Sequence, residues 1–371
     1  MDASQIRILF LSHASLSTGF VVGSHQLAKC YAKQYQTYHV SSPVTPFHFL
    51  KGKAGIKKIK SSLFPKFKKD FGFTDYVPLV PFPYGLFGWT DKINDWCVSL
   101  YFRILNIPLN YDVVLIDQPS FIDFYTSRLS SRNMFYRPTD IYKEMGGGKY
   151  EFHEKNAVAE CDGIIATSKE VLTSLGQKAA VKPNIVLENG VDFEYFSKRG
   201  QELTRKGFVY VGAVDFRFDI DFLIKLARHF PNETFDIFGA VSIEVDSTKL
   251  PKNLRLKGGI DYSEVPKLLH VYKYGLIPLN GHPANIGRSP MKLYEYKAAG
   301  LITLVRESKK YRELECTTVL TYRSVDEAVE KVNSTITINP VDYQNECIES
   351  ARKQSWERKA NLLMDFIGLE N

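Results

Sequence analysis

Lys292 and Glu295 stand three residues apart in the run Arg288-Ser289-Pro290-Met291-Lys292-Leu293-Tyr294-Glu295-Tyr296. On a helix that spacing puts both on one face. An ammonium group can meet a diphosphate, and a carboxylate can accept hydrogen bonds from two ribose hydroxyls. Together they would grip a nucleotide sugar. The helix that would carry them has both ends marked. Ser289 is an N-cap candidate, and Pro290 suits the first helical position, where its missing N–H costs nothing. Gly300 can close the helix left-handed, and the apolar strand Leu301 to Val305 follows at once. The free N–H groups and partial positive charge of such a start favour a phosphate. An ordinary capped helix between two strands would carry the same marks.

Charge points to a second partner. Between Asp2 and Asp70 there is no carboxylate, while Arg7, Lys29, Lys33 and eight lysines from Lys51 to Lys69 give that stretch +11. The whole chain is +7, so the remainder sums to −4 and the positive surface is local. The lysines alternate with Phe47, Phe49, Ile56, Ile59, Leu63, Phe64, Phe67, Phe71 and Phe73, and a proline-rich apolar loop runs from Tyr76 to Trp89. Such interleaving suits nucleic acid or an anionic membrane surface. No RNA-binding signature accompanies it, so the expectation is an anionic membrane and no nucleic acid. The competing expectation is a surface insertion whose aromatics fold back into the domain.

The elements that must position these residues follow from length and pattern. A chain of 371 residues, 44% hydrophobic and 24% charged, is a globular protein with two domains as the natural prior. Five cysteines without paired spacing suggest neither a disulfide framework nor a zinc site, hence a reducing compartment. No basic-then-apolar leader and no bilayer-length apolar run is seen, which predicts a cytoplasmic protein held peripherally on the inner face of the membrane. Arg7 to Ser12 reads as a buried strand, followed by a small polar loop and a helix from about Val21 to Gln34. Further strands are predicted at Tyr111 to Asp117, Met134 to Asp140 and Gly163 to Ser168. A second series starts at Phe208 to Ala213 and runs through Phe235, Leu254 and Tyr274 to Leu301. This alternation predicts an α/β fold with two Rossmann-like domains facing across a cleft. The domains are expected at 1–196 and 197–351, with a linker from Ser197 to Lys206 and a terminal helix over 352–371 packing back on the first. Asp219-Ile220-Asp221 has a metal-binding spacing, but carboxylates at a helix start are favoured by the dipole, and no metal site is assigned.

Here a resemblance enters. Ser12-His13 after the first strand, Tyr136-Arg137-Pro138-Thr139-Asp140, Asn189-Gly190-Val191-Asp192, Gly212 to Asp219 and Ser289 to Tyr296 resemble GT-B glycosyltransferases of the family-4-like kind. More narrowly they are similar to the GumK-type (family 70) glucuronosyltransferases. The resemblance implies a UDP-sugar donor and a lipid-linked saccharide acceptor, in bacterial exopolysaccharide or capsule synthesis. It implies that Asp140 is the general base, taking the proton of the acceptor hydroxyl as it attacks the anomeric carbon. Capping of the next helix is the alternative role for Asp140, and Asp117 is a rival base. By the same resemblance Gly212, Arg217, Ser289, Met291, Lys292 and Glu295 hold the donor, while Ser12 and His13 face the acceptor. Retaining relatives carry a second glutamate where this chain has Gly287, which implies inversion. Lys292 and helix N–H groups can stabilise the leaving diphosphate, so no metal or other cofactor is expected. Two other readings stay open. One is a soluble retaining family-4-like transferase or sugar epimerase; the other is a catalytically inactive protein that binds nucleotide sugars.

Overall fold

The computed structural model describes residues 5–84, 87–146, 150–198, 205–312, 317–335 and 340–369. Two compact units emerge. One comprises Met1–Glu188, Gly287–Ser289 and Lys359–Asn371; the other comprises Asn189–Ile286 and Pro290–Arg358. The division thus falls before the 196/197 boundary read from sequence, and the terminal helix joins the first unit from Lys359 rather than 352. The reason is local pairing. Val191 donates its N–H to Gln354 and accepts from Trp356, both at 3.0 Å, while Phe193 and Phe196 bury in the second unit's core. Of the expected linker, 199–204 lies outside the described residues.

The first unit is an eight-stranded sheet with helices. Its leading elements are β1 (Arg7–Ser12), α1 (Gly23–Tyr31), β2 (Gln36–Ser41), α2 (Gly52–Leu63), β3 (Phe67–Lys68), β4 (Phe73–Tyr76) and α3 (Gly88–Ile104). Then come β5 (Asn110–Ile116), α4 (Ile122–Arg128), β6 (Ser130–Tyr136), α5 (Tyr142–Gly146), α6 (Glu151–Glu160), β7 (Gly163–Ala166), α7 (Lys169–Ser174), α8 (Gln177–Ala180) and β8 (Asn184–Val186). The sheet order is β3-β4-β2-β1-β5-β6-β7-β8, antiparallel only between β3 and β4. Its central strands are buried along nearly their whole length, as both faces of a parallel sheet require. The segment 46–96 therefore does not lack regular structure, as its broken pattern suggested. It adds β3 and β4 at one edge of the sheet together with α2 and α3, the latter packing Phe102 on Phe124 of α4. The proline-rich loop divides as well: Val77 and Val80 are buried, with Val80 and Val44 bonded along a short bridge, while Phe87 and Trp89 are exposed.

The second unit repeats the theme with a six-stranded, wholly parallel sheet. Its elements are α9 (Phe193–Phe196), β9 (Phe208–Val211), α10 (Ile220–His229), β10 (Phe235–Phe238), β11 (Leu254–Gly258), α11 (Val265–Leu269), β12 (Tyr274–Ile277) and α12 (Met291–Ala298). After these come β13 (Ile302–Arg306), α13 (Lys309–Arg312), β14 (Val319–Tyr322), α14 (Val325–Ser334) and α15 (Pro340–Arg352). The order is β11-β10-β9-β12-β13-β14, and the reversal between β9 and β12 is the switch point of a doubly wound sheet. The C-terminal segment, whose pattern allows one long or a broken helix, is broken: α15 is followed by α16 (Trp356–Ile367), with the break where the chain pairs with Val191. Asp219 caps α10, accepting from the Phe222 N–H at 2.9 Å, and meets Arg306 at 3.2 Å. Asp219 thus stands at a helix start, as the sequence pattern predicts.

Candidate functional site

In the second unit, α12 is fixed to the sheet by Tyr296. The ring is fully buried, its hydroxyl accepts the Val211 N–H at 3.0 Å, and it lies against the bare α-carbon of Gly275 in β12. The helix begins one residue later than the sequence suggested. Pro290 is the N-cap and Met291 the first helical residue, so Ser289 does not cap it. Ser289 is instead buried in the piece of chain that belongs to the first unit. Gly300 is left-handed at φ +76 and closes the helix as expected.

Tyr296 so placed sets two neighbours. The Lys292 side chain runs over the α-carbon of Gly212, with its ammonium 5.5 Å from the Tyr210 ring centroid. Gly212 itself lies just beyond the C-terminal end of β9, its N–H bonded to Phe238 at 2.8 Å. Glu295 is buried, and its carboxyl is pushed up to about 7 by burial; Lys292 works against this rise and Asp192 adds to it. The sequence reading quoted Asp192 but gave it no part here. A cation and a buried carboxylate at the start of α12, beside a glycine loop at a strand's C-terminal end, can hold a diphosphate and a diol. Arg217 is committed differently: Asp215 takes it in a bidentate pair, with Nε at 3.0 Å and Nη2 at 2.5 Å.

In the first unit, Asp140 sits on the loop after β6, and that loop is strapped down. Arg137 and Asp117, at the ends of adjacent strands, form a buried pair at 2.7 Å. The Tyr142 hydroxyl donates to the Asp117 carbonyl, and the Thr167 hydroxyl to the Thr139 carbonyl. Asp117 is therefore no free base; it is buried and neutralised by Arg137. Asp140 keeps a partly exposed carboxylate that accepts from Thr139 at 3.2 Å and faces Arg288 at 3.5 Å. Sequence reasoning had the Tyr-Arg-Pro-Thr-Asp run but missed its anchors, Thr167 and Tyr142.

The loop after β1 is fixed by a buried polar network. Asp75 accepts from His39 Nδ1 (2.8 Å), Ser41 (2.6 Å), Ser15 (2.7 Å) and the Leu16 N–H (2.8 Å). Burial works to raise the Asp75 pKa, but hydrogen bonds and charge from His39, helped by His25 and Ser41, hold it at about 2. His25, His39 and Asp75 bring possible metal-ligand atoms within 4.8 Å of one another. Both His25 nitrogens are nonetheless occupied, Nδ1 by the Val22 N–H and Nε2 by the Ala14 carbonyl, so the cluster is a lock on the loop. Ser12 is part of it. Fully buried and bonded to Ser24 at 2.7 Å, it cannot face an acceptor. His13 is half-buried, and its Nδ1 has no hydrogen-bond partner among the described residues. Burial lowers its pKa against the pull of Asp117 and Asp140, so the imidazole stays neutral near physiological pH.

Comparisons with known proteins bear on the fold and the class of enzyme. A family model described as glycosyl transferase-like matches residues 217–358. TuaH of Bacillus subtilis (strain 168), named as a candidate glycosyltransferase of teichuronic acid biosynthesis, is 22% identical over 294 residues, covering 74% of this chain and 72% of that protein. Among solved structures, sucrose-phosphate synthase from Thermosynechococcus elongatus matches with a TM-score of 0.70 at 12% identity, covering 97% of this chain and 98% of that one. A variant of S. aureus TarM, solved with fondaparinux, alpha-GlcNAc-glycerol and UDP, matches at 0.65 and 12%, covering 98% and 100%. Two Rossmann-like units, the family model and the curated relative converge: the chain is a glycosyltransferase of the GT-B type.

Proposed function

We propose that the enzyme transfers a sugar from a UDP-sugar to a lipid-linked saccharide in the synthesis of a bacterial polysaccharide, with inversion and without a metal ion. The observation that carries this reading is the Lys292–Gly212–Glu295 arrangement at the start of α12. The ammonium group takes the diphosphate, the helix N–H groups add to it, and the buried carboxylate takes the ribose hydroxyls. Asp140 supplies the base, held in place by the Arg137–Asp117 pair beneath its loop. Inversion is supported at Gly287. That residue is left-handed at φ +69, and a β-carbon there would meet Glu170 and Ser168 at 2.7 Å. A second carboxylate at this position has no room. The teichuronic acid in the Bacillus relative's name supports a polysaccharide product, and UDP in the TarM structure supports the donor.

Membrane attachment belongs to the same reading. No helix among the described residues is long and apolar enough to cross a bilayer. Attachment would instead be peripheral, on the cytoplasmic face, through the basic tract and the exposed aromatics of the first unit. The test is transfer from a panel of UDP-sugars, glucuronic acid included, to a bacterial lipid extract in the presence of EDTA. Expected is a lipid-extractable product whose new linkage is β when the donor is α. An α-linked product would refute inversion, and a need for a divalent ion would refute the metal-free site.

A further inference from the structure

The first unit contains a cavity of about 480 Å³ with an unusual lining. Lys57, Lys60 and Ser61 reach it from one face of α2, Lys66 and Lys68 from the segment entering β3, and Ser17 from the 3₁₀ turn at Leu16–Thr18. The sequence explains why these ammonium groups converge without partners: no carboxylate occurs between Asp2 and Asp70. Among the described residues none of the four lysines is paired with a carboxylate. Asp75 also reaches the cavity, but both its oxygens are bonded inward, to His39 and Ser41 on one side and Ser15 and Leu16 on the other. The same network holds the Ser15–Ser17 turn, with the two hydroxyls 2.8 Å apart. The cavity is thus four cations and two hydroxyls on a rigid base.

Its edge is apolar. Phe64 lines the cavity yet is 69% exposed, and its neighbours Leu63 and Phe67 are exposed as well. An open cationic pocket with an apolar rim suits an amphiphilic anion better than free phosphate. We propose that this cavity binds the diphosphate that joins the acceptor saccharide to its lipid, with the lipid chain leaving past Phe64. The proposal rests on the lipid-linked reading of the acceptor and adds where its phosphates are held. An anionic lipid headgroup offers the same phosphate chemistry, so the experiment separates the two sources.

Calorimetry on the full chain would use geranyl diphosphate as a water-soluble isoprenyl diphosphate, with geraniol and inorganic pyrophosphate as controls. Geranyl diphosphate should bind, pyrophosphate more weakly, and geraniol not at all. A Lys60→Gln, Lys68→Gln double variant should weaken geranyl diphosphate by about tenfold or more, the scale of losing charge-assisted hydrogen bonds. Arginine at both positions should restore much of the affinity. UDP affinity and melting temperature should not change, which would show that the variant is folded. Sedimentation with phosphatidylglycerol vesicles forms the second arm. Loss of vesicle binding with unchanged geranyl diphosphate affinity would assign the cavity to headgroups and overturn the proposal, as would absence of geranyl diphosphate binding to the unaltered chain. Equal transfer to a free saccharide and to its diphosphate-lipid form would instead sink the lipid-linked reading, whatever the cavity's affinity.

Discussion

The Lys292 side chain lies over the α-carbon of Gly212, so closely that a β-carbon at 212 would stand 2.5 Å from Nζ. Gly212 has φ +156, and its carbonyl in turn abuts the bare α-carbon of Gly239, so neither loop can yield. Gly212→Ala must therefore move the lysine. If Lys292 holds the donor diphosphate, both Gly212→Ala and Lys292→Ala should weaken UDP by about tenfold or more, as loss of a charge-assisted bond does. The double variant should be little worse than either, because both remove one interaction. Unchanged UDP affinity in calorimetry of Lys292→Ala would remove α12 from the donor site.

Glu295 makes a prediction about pH. Its folded pKa is raised to about 7, from an ordinary carboxyl value near 4.5. The folded state therefore holds this proton more tightly than the unfolded chain does. Its contribution to stability is greatest below about pH 4.5, falls as pH rises towards 7, and is flat above. Glu295→Gln should raise the melting temperature at pH 8 and leave it nearly unchanged at pH 4. Donor binding should run the other way, because only the ionised carboxylate accepts from both ribose hydroxyls. Affinity for a UDP-sugar, whose diphosphate diester does not titrate here, should rise between pH 6 and 8. A flat profile would separate Glu295 from the ribose.

Much of this site could be read from the chain. Both α/β series, the helix carrying Lys292 and Glu295, its closure at Gly300 and the cap at Asp219 are local patterns, and strand periodicity and capping chemistry report them directly. What could not be read depends on distant pairing. Asp75 lies far in sequence from Ser15 and from His39, and only the β2–β4 register that sets His39 beside Asp75 brings them together. Ser12, given to the acceptor by the resemblance, is lost to it through another distant pairing, because Ser24 claims its hydroxyl. The segment 46–96 misled because its strands are short, with β3 at the sheet edge, and its helices display apolar residues outward, so neither period-2 nor core-facing patterns stand out.

If Asp140 is the base, a variant that keeps its shape tests it directly. Asp140→Asn keeps size and the bond from Thr139 but cannot take a proton. Transfer should fall by about 10²–10⁴-fold while UDP affinity and melting temperature hold. Near-normal turnover would reject the assignment of the base.

Gly275 offers a stability test independent of function. A β-carbon there would run into the Tyr296 ring, coming 2.6 Å from Cγ, and that ring pins α12 to the sheet. Gly275→Ala should destabilise the second unit by about 1–3 kcal/mol, the usual cost of overpacking a core, seen as a lower urea midpoint. Tyr296→Phe would test the hydroxyl alone, leaving the Val211 N–H without its acceptor, and should cost about 1–3 kcal/mol. No change in Gly275→Ala would mean that α12 is free to move on the strands.

The last prediction concerns α3. Thr90, Asn94, Val98 and Phe102 are buried along one side of this helix, whereas Trp89, Ile93, Trp96, Leu100 and Ile104 are exposed along the opposite side. Spacings of three and four residues align these five on one face. The tryptophans are 59% and 58% exposed, and Phe87 extends the stripe by stacking on Trp89. A soluble surface rarely shows so continuous an apolar line, and tryptophan favours the headgroup boundary of a bilayer. The lysines of α2 belong to the same unit and supply charge that an anionic leaflet would attract. Trp89→Ser with Trp96→Ser should therefore reduce binding to phosphatidylglycerol vesicles at low and high salt alike, since burial is not screened. Lys57→Gln with Lys60→Gln should reduce it mainly at low salt, because each lysine contributes up to about 1 kcal/mol that added ions weaken. UDP affinity should survive both pairs of changes. Sedimentation that survives loss of both tryptophans would detach α3 from the membrane and leave the stripe to a protein partner, whereas sedimentation that is equal for neutral and anionic vesicles would remove the lysines from the attachment.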